Sequence, residues 1–329
     1  MNRTMLAVLV MMMLVGLYGC GSKPPAAGPA SGVLVELIQY SETPIADNYR
    51  KSIVDGLTAA GLTEGKDYRL VTRTAEGEMS NIPMLIDAAV TDKADLLVTF
   101  QPQILYAALQ RAPGMKTVFA ILTDPFVLGA GNSDTEHLAN VTGQYMQSNY
   151  AEMIAAIKAC QPTATKLGAI FQIGEGNAAK NIADLTAAAE AQGMTVTTVG
   201  YSTSGDIAAA AATLSSKGVN AYLHLPEANM QVTLAALNQA ARDQRVPLYS
   251  LASVAKPVPC LICAPDVRET AQRFATLLAR VIKGENPGTI PFENSRVVKQ
   301  QLIVNPAACA AAGITPPAEL LARATEVIR

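Results

Sequence analysis

The sequence predicts an α/β protein built from two doubly wound parallel-sheet lobes. Short runs rich in Val, Leu and Ile alternate with helical patterns both before and after residues 140–144. This alternation is typical of parallel sheets covered by helices, and its restart indicates a second sheet. The length of 329 residues also favours two domains. Because ligands of parallel sheets bind at the carboxyl ends of the strands, we expect the functional site in a cleft between the lobes.

The composition supports a folded protein and argues against anionic partners. Half of the residues are hydrophobic and 16% are charged, which is enough apolar surface for two ordinary cores. The formal net charge is −2 and the isoelectric point is about 5.8. Such a surface attracts neither nucleic acid nor anionic lipid, so the sequence predicts no nucleic-acid partner.

The amino terminus has the pattern of an export signal. Arg3 precedes an almost wholly apolar run over residues 5–17. As a helix this run would span about 20 Å, less than the roughly 30 Å of a bilayer core, so we interpret residues 1–19 as a signal peptide. The ending Leu-Tyr-Gly-Cys at Cys20 resembles the lipobox of bacterial lipoproteins, which implies a lipid anchor on Cys20; ordinary secretion with cleavage nearby is the alternative. Residues 20–32 are rich in Gly, Pro, Ala and Ser, which predicts a flexible tether.

Four further cysteines would lie in a compartment that permits disulfides: Cys160, Cys260, Cys263 and Cys309. They allow three full pairings, and the spacing selects none of them. Cys260 and Cys263 have the spacing of a redox motif, but they lie between prolines and lack the helix amino terminus that makes a thiol acidic. Structural bridging or simple burial is the interpretation we favour. With two histidines and no second CxxC, no metal site is predicted.

The first series of elements occupies residues 33 to about 140. Apolar and β-branched runs predict strands at 33–40, 68–72, 95–100 and 116–122, separated by helices at 45–60 and 79–91 and one that ends near 110. Thr43 followed by Pro44 is the pattern of an N-cap and a first helical residue, which marks where the first helix begins.

Polar residues collect just after the first, third and fourth of these strands. They are Ser41, Glu42 and Thr43, then Gln101, then Thr123 and Asp124. In a parallel sheet these positions share the carboxyl edge, which makes them candidate ligand residues. The alternative is that they act only as helix caps and turn residues, where such side chains are common.

The second series begins near residue 145 and repeats the pattern. Strands are predicted at 166–171, 195–200, 221–225, 246–251 and 297–304, with helices at 150–160, 178–192, 206–217, 266–283 and 317–328 and another that ends near 243. The Gly-rich turn that contains Glu175 and Asn177 opens one helix, and its backbone N–H groups would suit an anion. It is not G-x-G-x-x-G, so a dinucleotide site is not predicted. Glu227 and Asn229 open the helix after the strand at 221–225.

The reactive side chains argue against an enzyme. His137 lies in a polar loop, and His224 ends an apolar strand, where a histidine is more often buried and hydrogen-bonded than catalytic. Neither stands beside a recognisable Ser or Cys nucleophile motif, and the sequence contains no P-loop or cluster of metal ligands. The sequence therefore predicts a binding protein with no cofactor and no metal.

Several short motifs follow one another in a particular order and spacing. They are Ser41-Glu42-Thr43-Pro44, Thr123-Asp124-Pro125, Asn140-Val141-Thr142-Gly143, Gly174-Glu175-Gly176-Asn177, Lys283-Gly284-Glu285-Asn286-Pro287 and Val304-Asn305-Pro306. Together they resemble the substrate-binding lipoproteins of ABC importers in the tryptophan/tyrosine-type group, over essentially all of the mature chain. The resemblance implies the type I periplasmic-binding-protein fold, in which two lobes joined by three crossings close over a small ligand. It implies a first lobe of residues 33–142 and 266–292 and a second lobe of residues 143–265 and 293–329.

The resemblance also implies the class of ligand and the residues that hold it. The ligand is often an aromatic or other hydrophobic amino acid, which needs donors for its carboxylate and an acid for its ammonium group. Matching positions place Ser41, Glu42, Thr43, Thr123 and Asp124 on the first lobe, and Glu175, Asn177 and Asn229 on the second. Gln101, Gln144, Glu227 and Ser253 complete the predicted ligand residues.

Some positions differ from the family pattern. Gln101 replaces a small hydroxyl residue, Ala228 stands where an acid is common, and Ser253 belongs to a segment less polar than usual. Asp124, Glu175 and Glu227 are the acids left to pair with an ammonium group. A small molecule other than an α-amino acid is the alternative ligand.

The predicted function is a monomeric, lipid-anchored receptor at the outer face of a membrane that delivers a small ligand to an ABC permease. One alternative is a sensor that presents its closed form to a signalling receptor. Another is an envelope lipoprotein that binds no ligand. A transcription regulator would share the fold but would need a DNA-binding headpiece where this chain has an export signal.

Overall fold

The computed structural model describes residues 32–173, 178–227 and 230–328. Two parallel-sheet lobes make up the fold, and the chain passes between their sheets three times. The predicted α/β class with two doubly wound lobes is therefore confirmed. Among the residues described, no helix has the length and apolar composition needed to cross a membrane. The predicted signal peptide, the lipidation site Cys20 and residues 20–31 of the tether lie outside the described residues.

The first sheet and its helices come mainly from the first part of the chain. They are β1 Val33–Gln39, α1 Pro44–Ala59, β2 Tyr68–Thr74, α2 Ile82–Thr91, β3 Leu96–Phe100, α3 Pro102–Arg111, β4 Thr117–Ala120 and β5 Val141–Tyr145. A sixth strand, β11 Glu293–Asn294, comes from later in the chain. The strand order is β11-β5-β4-β3-β1-β2, and every neighbouring pair is parallel. The carboxyl ends of all these strands therefore share one edge.

The second sheet is formed after the first crossing. Its elements are α4 Tyr150–Cys160, β6 Lys166–Gln172, α5 Ala178–Glu190, β7 Thr195–Tyr201, α6 Ile207–Ser216, β8 Ala221–His224, α7 Met230–Gln244, β9 Leu248–Ser250 and β10 Leu261–Pro265. The remaining elements are α8 Val267–Ile282, β11 Glu293–Asn294, β12 Gln300–Val304, α9 Pro306–Ala311, α10 Ala318–Arg323 and β13 Glu326–Val327. The strand order is β13-β12-β10-β9-β8-β6-β7, in which β12 is antiparallel to β10.

Helix α8 carries the chain back to the first lobe, where it packs against α1. Its Phe274 ring lies 5.5 Å from Tyr49 and 6.0 Å from Phe100, measured between centroids. All three side chains are fully buried.

The predicted lobe boundary between residues 142 and 143 falls inside β5. The boundary predicted between residues 292 and 293 falls immediately before β11, another strand of the first sheet. The division into lobes stays a proposal.

Gly56 allows α1 and α8 to approach each other closely. A Cβ atom at this position would lie 2.5 Å from the Cβ of Ala275, which is fixed rigidly to α8. We expect Gly56→Ala to lower the free energy of unfolding by about 1–3 kcal/mol, because the overlap outweighs the better helix propensity of alanine. Urea titration of the ligand-free protein measures the change. Gly114→Ala is the matched control, because its new methyl group would meet open space. Equal stability of the two variants would contradict this account of the helix contact.

The carboxyl-terminal helix predicted over residues 317–328 is confirmed only as far as Arg323, and the prediction is wrong beyond it. Helix α10 ends at Arg323, and β13 then joins the edge of the second sheet. The backbone N–H of Thr325 donates to the Leu302 carbonyl at 2.8 Å, and that of Ile328 donates to Val304 at 2.8 Å. The open edge of β12 offers these hydrogen bonds, and β-branched Thr325, Val327 and Ile328 suit a strand.

Strand β10 was not predicted, because prolines surround its short apolar run.

Candidate functional site

The candidate site comprises the residues that follow the carboxyl ends of the strands in both sheets. In the first sheet these segments follow β1, β3, β4 and β5, and in the second sheet they follow β6, β7, β8 and β9. Three predicted ligand residues, Glu175, Asn177 and Asn229, lie outside the described residues. The other predicted ligand residues lie at these strand ends, and several of them have hydrogen-bond partners within the protein.

Gln101 and Ser41 are joined to each other after β3 and β1. The Gln101 side-chain Nε2 donates to the Ser41 hydroxyl at 3.0 Å. Its Oε1 accepts from the backbone N–H groups of Tyr40 at 2.8 Å and Ser41 at 3.0 Å. Gln101 also has a positive φ of 74°, a conformation unusual for a residue with a side chain. These bonds show that Gln101 shapes the loop after β1, so its amide is already occupied.

Glu42 and Thr43 also have structural partners. The Thr43 hydroxyl accepts from the Ala46 backbone N–H at 3.1 Å, which confirms Thr43 as the N-cap of α1. The Glu42 carboxylate is exposed and lies 2.7 Å from the guanidinium of Arg50. A hydrogen bond from Arg50 lowers the pKa of Glu42 below its usual value. The alternative of caps and turns therefore accounts for Thr43, and Glu42 forms an ion pair on the surface.

Thr123 and Asp124 follow β4 and differ in what they leave available. Asp124 is 6% exposed, and its Oδ1 accepts from the backbone N–H groups of Phe126 at 2.9 Å and Val127 at 3.3 Å. This carboxylate stabilises the turn that follows the strand. The half-buried Thr123 hydroxyl makes no hydrogen bond to any described residue, so it remains available as a donor.

Gln144 is buried at the end of β5 with one half of its amide unsatisfied. Its Oε1 accepts from the Tyr49 hydroxyl at 2.8 Å. Its Nε2 has no hydrogen-bond partner among the described residues, although the side chain is fully buried. A buried amide donor without a partner costs about 1–3 kcal/mol, which makes it a place where an acceptor is favoured.

Glu227 is the buried acid of the second-lobe edge. Only 8% of the residue is exposed, and its Oε2 accepts from the Gln172 backbone N–H at 3.1 Å. Burial raises the pKa of Glu227, while hydrogen bonds from Tyr201 and Thr233 act in the opposite direction. No lysine, arginine or histidine of the described residues forms an ion pair with it. A buried carboxylate with neutral donors alone is well suited to a cationic ligand group.

His224 holds the segment that carries Glu227. Its Nε2 donates to the Met230 carbonyl at 2.8 Å, so Nδ1 is the unprotonated nitrogen that accepts from the Ser250 hydroxyl at 2.8 Å. The ring is fully buried, and burial lowers the pKa of His224 to about 4. The prediction of a buried, hydrogen-bonded histidine is confirmed. It ties β8 to the start of α7 on either side of Glu227.

Sequence reasoning missed Tyr201, which contacts Glu227 from the end of β7. Its position directly after a predicted strand was the signal that could have identified it.

The predicted ligand residue Ser253 begins a short helical turn over Ser253–Ala255 and is half-buried. Its side-chain hydroxyl makes no hydrogen bond to any described residue.

The described part of the site offers donors on one lobe and an acceptor on the other. Thr123 and Gln144 supply hydrogen-bond donors at the first sheet, and Glu227 supplies a negative charge at the second. This arrangement can hold a small molecule that has both an anionic and a cationic group. Within the described ranges, no group of His, Cys, Asp and Glu side chains is arranged to hold a metal ion.

Comparison with known proteins identifies the family to which this chain is similar. Residues 34–328 match the family described as ABC transporter substrate binding protein. A tyrosine-binding protein of Clostridioides difficile is 22% identical over 273 residues, which cover 82% of this chain and 78% of the relative.

Solved structures share the fold over nearly the same range. An ABC domain of Streptococcus pneumoniae in complex with L-tryptophan has a TM-score of 0.80 and 22% identity, covering 91% of this chain and all of that one. A conserved domain protein of Vibrio cholerae has a TM-score of 0.79 and 24% identity with the same coverage. A ligand-free, open substrate-binding protein of Clostridium difficile has a TM-score of 0.74 and 17% identity, covering 90% and 99% of the two chains. The family match over almost the whole described chain shows that this protein belongs to the ABC transporter substrate-binding proteins, which bind a ligand and are not enzymes.

Proposed function

We propose that this protein is an extracytoplasmic receptor that captures a hydrophobic or aromatic amino acid and delivers it to the permease of an ABC importer. The observation that carries the proposal is the buried Glu227 carboxylate, which has no cationic partner among the described residues. An α-ammonium group supplies such a partner. The tyrosine and L-tryptophan named for two similar proteins support the same class of ligand.

The proposed binding mode uses both lobes. The ammonium group pairs with Glu227 on the second lobe, and the carboxylate accepts hydrogen bonds from the Gln144 amide and the Thr123 hydroxyl on the first. Because the ligand touches both edges, it favours a closed arrangement of the lobes. Glu175, Asn177 and Asn229 stay predicted contributors to the same cleft.

The setting of the receptor is part of the proposal. Cleavage after residue 19 and lipid attachment to Cys20 would anchor it at the outer face of a membrane, with residues 20–32 as a tether. The first lobe would comprise residues 33–142 and 266–292, and the second would comprise residues 143–265 and 293–329. The three crossings between these lobes would form the hinge. The receptor would act as a monomer that contacts its permease.

A thermal-shift series with matched compounds tests the ligand class. Tyrosine and tryptophan are compared with 3-(4-hydroxyphenyl)propanoate, which lacks the ammonium group, and with tyramine, which lacks the carboxylate. A ligand at a hundred times its dissociation constant stabilises by roughly 2.7 kcal/mol, so we expect a clear shift with an intact amino acid. We expect little or no shift with either truncated compound at the same concentration.

Two outcomes would contradict the proposal. A shift with the propanoate equal to that with tyrosine would reject the pairing of an ammonium group with Glu227. The absence of a shift with every amino acid would reject the receptor, provided that mass spectrometry of the denatured protein finds no small molecule carried through purification.

A further inference from the structure

Three cysteine side chains from distant parts of the chain meet in the core of the second lobe. Cys160 is the last residue of α4, Cys260 directly precedes β10, and Cys309 lies in α9. All three are buried, with exposed fractions of 4%, 2% and 0% respectively. They belong to one hydrophobic cluster, in which the Cys309 Sγ donates to the Cys260 carbonyl and the Cys309 thiol interacts with the thiols of Cys160 and Cys260.

The backbone explains why Cys309 is the shared member of this cluster. Strands β10 and β12 are antiparallel, and the Asn305 backbone N–H donates to the Cys260 carbonyl at 2.9 Å. The Asn305 side chain then caps α9 by accepting from the Ala308 N–H at 3.1 Å. The first turn of α9 therefore places Cys309 over Cys260, where its Sγ donates to the Cys260 carbonyl at 3.7 Å. Helix α4 brings Cys160 to the same point.

Cys263 is buried in the same hydrophobic cluster, but its thiol is not among those that interact with the thiols of Cys160 and Cys309. It lies further along β10, and the charged groups that influence it are Glu152 and Arg323. Burial raises the pKa of the Cys263 thiol to about 12.

We propose that Cys309 forms a disulfide in the exported protein, with either Cys160 or Cys260 as its partner, and that Cys263 remains a free thiol. The four cysteines are reduced in the structure described here. Each of the two pairings uses the same Cys309 sulfur, so they exclude each other and one thiol of the three is left over. The bond would tie α9, and with it β12 and the edge strand β13, to the core of the second lobe.

The step needs an oxidant of the dithiol–disulfide class. Two cysteine thiols lose two electrons and two protons as the sulfur–sulfur bond forms, and a disulfide such as oxidised glutathione accepts them and becomes two thiols. In the folded, reduced protein, hydrogen bonds with the Cys160 and Cys260 thiols, together with burial, raise the pKa of Cys309. A buried neutral thiol reacts slowly, so we expect oxidation to occur while the chain folds.

Oxidative refolding with peptide mapping tests the proposal. The full chain is reduced, denatured and refolded with a glutathione redox buffer, and free thiols are alkylated before non-reducing digestion with trypsin. Apart from Cys20, the cysteines fall in three peptides, residues 159–166, 246–268 and 300–323. We expect peptide 300–323 to be joined to one of the other two, with a mass lower by two hydrogens than the sum of the two reduced peptides.

Two variants identify the partners. Cys263→Ala is expected to leave the cross-link unchanged, which assigns any link in peptide 246–268 to Cys260. Cys309→Ala is expected to abolish the link of peptide 300–323. Alkylation of all four thiols in the refolded wild-type chain would overturn the proposal, as would a disulfide that contains Cys263. The wild-type map alone decides the question if a variant does not fold, and it is independent of ligand binding.

Discussion

Glu227→Gln is expected to weaken binding of the amino-acid ligand by about thirtyfold or more. Removing one partner of a buried charge pair costs about 2–5 kcal/mol, much of which comes from leaving the other charge unpaired. The variant keeps the size of the side chain and an oxygen that can accept from the Gln172 N–H. It removes only the charge that the ammonium group needs. Isothermal titration with tyrosine or tryptophan measures the change.

The dependence of binding on pH gives this prediction a second readout. Burial raises the pKa of Glu227, and only its ionised form attracts an ammonium group. Affinity in the wild-type protein should therefore fall as the pH decreases through that raised pKa. The Glu227→Gln substitution should flatten this part of the profile, because the new amide does not titrate.

Glu36→Gln is the matched control for loss of a buried carboxylate. Glu36 is 1% exposed in β1, where its carboxylate accepts from the Arg73 Nε at 2.7 Å. This substitution is expected to lower stability without changing ligand affinity, because Glu36 lies within the strand and not at its carboxyl end. If both variants bound the ligand as well as the wild-type protein, Glu227 would not be the site of the ammonium group.

The second large effect is a loss of stability on acidification that depends on His224. The pKa of this side chain falls from 6.5 in the unfolded chain to about 4 in the folded protein, because the ring is buried. Between these values the unfolded state binds more protons than the folded state, so stability decreases as the pH falls from about 6.5 to about 4. The loss for this group approaches about 3 kcal/mol at the acidic end of the window. Protonation also removes the acceptor at Nδ1 that Ser250 uses.

Comparison with His224→Gln isolates this contribution. The Gln amide does not titrate, and it retains a donor for the Met230 carbonyl, so the variant should lose stability less steeply over the same pH window. Glu227 titrates in both proteins, and its raised pKa has the opposite sign, since acid relieves the cost of burying its charge. The difference between wild type and variant therefore reports His224. Urea unfolding from pH 7 to pH 4 measures it, with His137→Gln as the control for loss of the other histidine. Parallel stability profiles for wild type and His224→Gln would contradict the prediction.

Much of the fold could be predicted from local patterns. The restart of the βα alternation indicated two sheets, and the Thr43-Pro44 pair marked the start of α1, because an N-cap depends on only a few neighbouring residues. Glu227 was nominated because an acid after a predicted strand lies at the carboxyl edge. His224 was interpreted correctly from its place at the end of an apolar strand.

Other features could not be predicted, because they depend on partners distant in sequence. Gln101 was predicted to be a ligand residue, but its side-chain amide is hydrogen-bonded to Ser41 in the loop after β1, 60 residues away. The segment after Arg323 had a helical pattern, but the open edge of β12 offers it backbone hydrogen bonds. The spacing of the cysteines permitted three pairings, and only packing places the Cys309 Sγ against the Cys260 carbonyl in a cluster that also contains Cys160.

The sequence by itself determined the class of the protein, which is two parallel-sheet lobes and a family of binding proteins, and it predicted site segments at the ends of strands. The lobes follow from periodicity and caps, which depend on near neighbours, and the family follows from the resemblance carried by the ordered motifs. Tertiary structure decided which polar residues at those ends are free to bind. The physical reason is that a buried polar group must find a hydrogen-bond partner, and long-range packing determines whether that partner is the protein itself or is left to a ligand. Thr43, Gln101 and Asp124 have partners within the chain, whereas among the described residues the Gln144 Nε2 has no partner and Glu227 has no cationic one, so both are assigned to the proposed ligand.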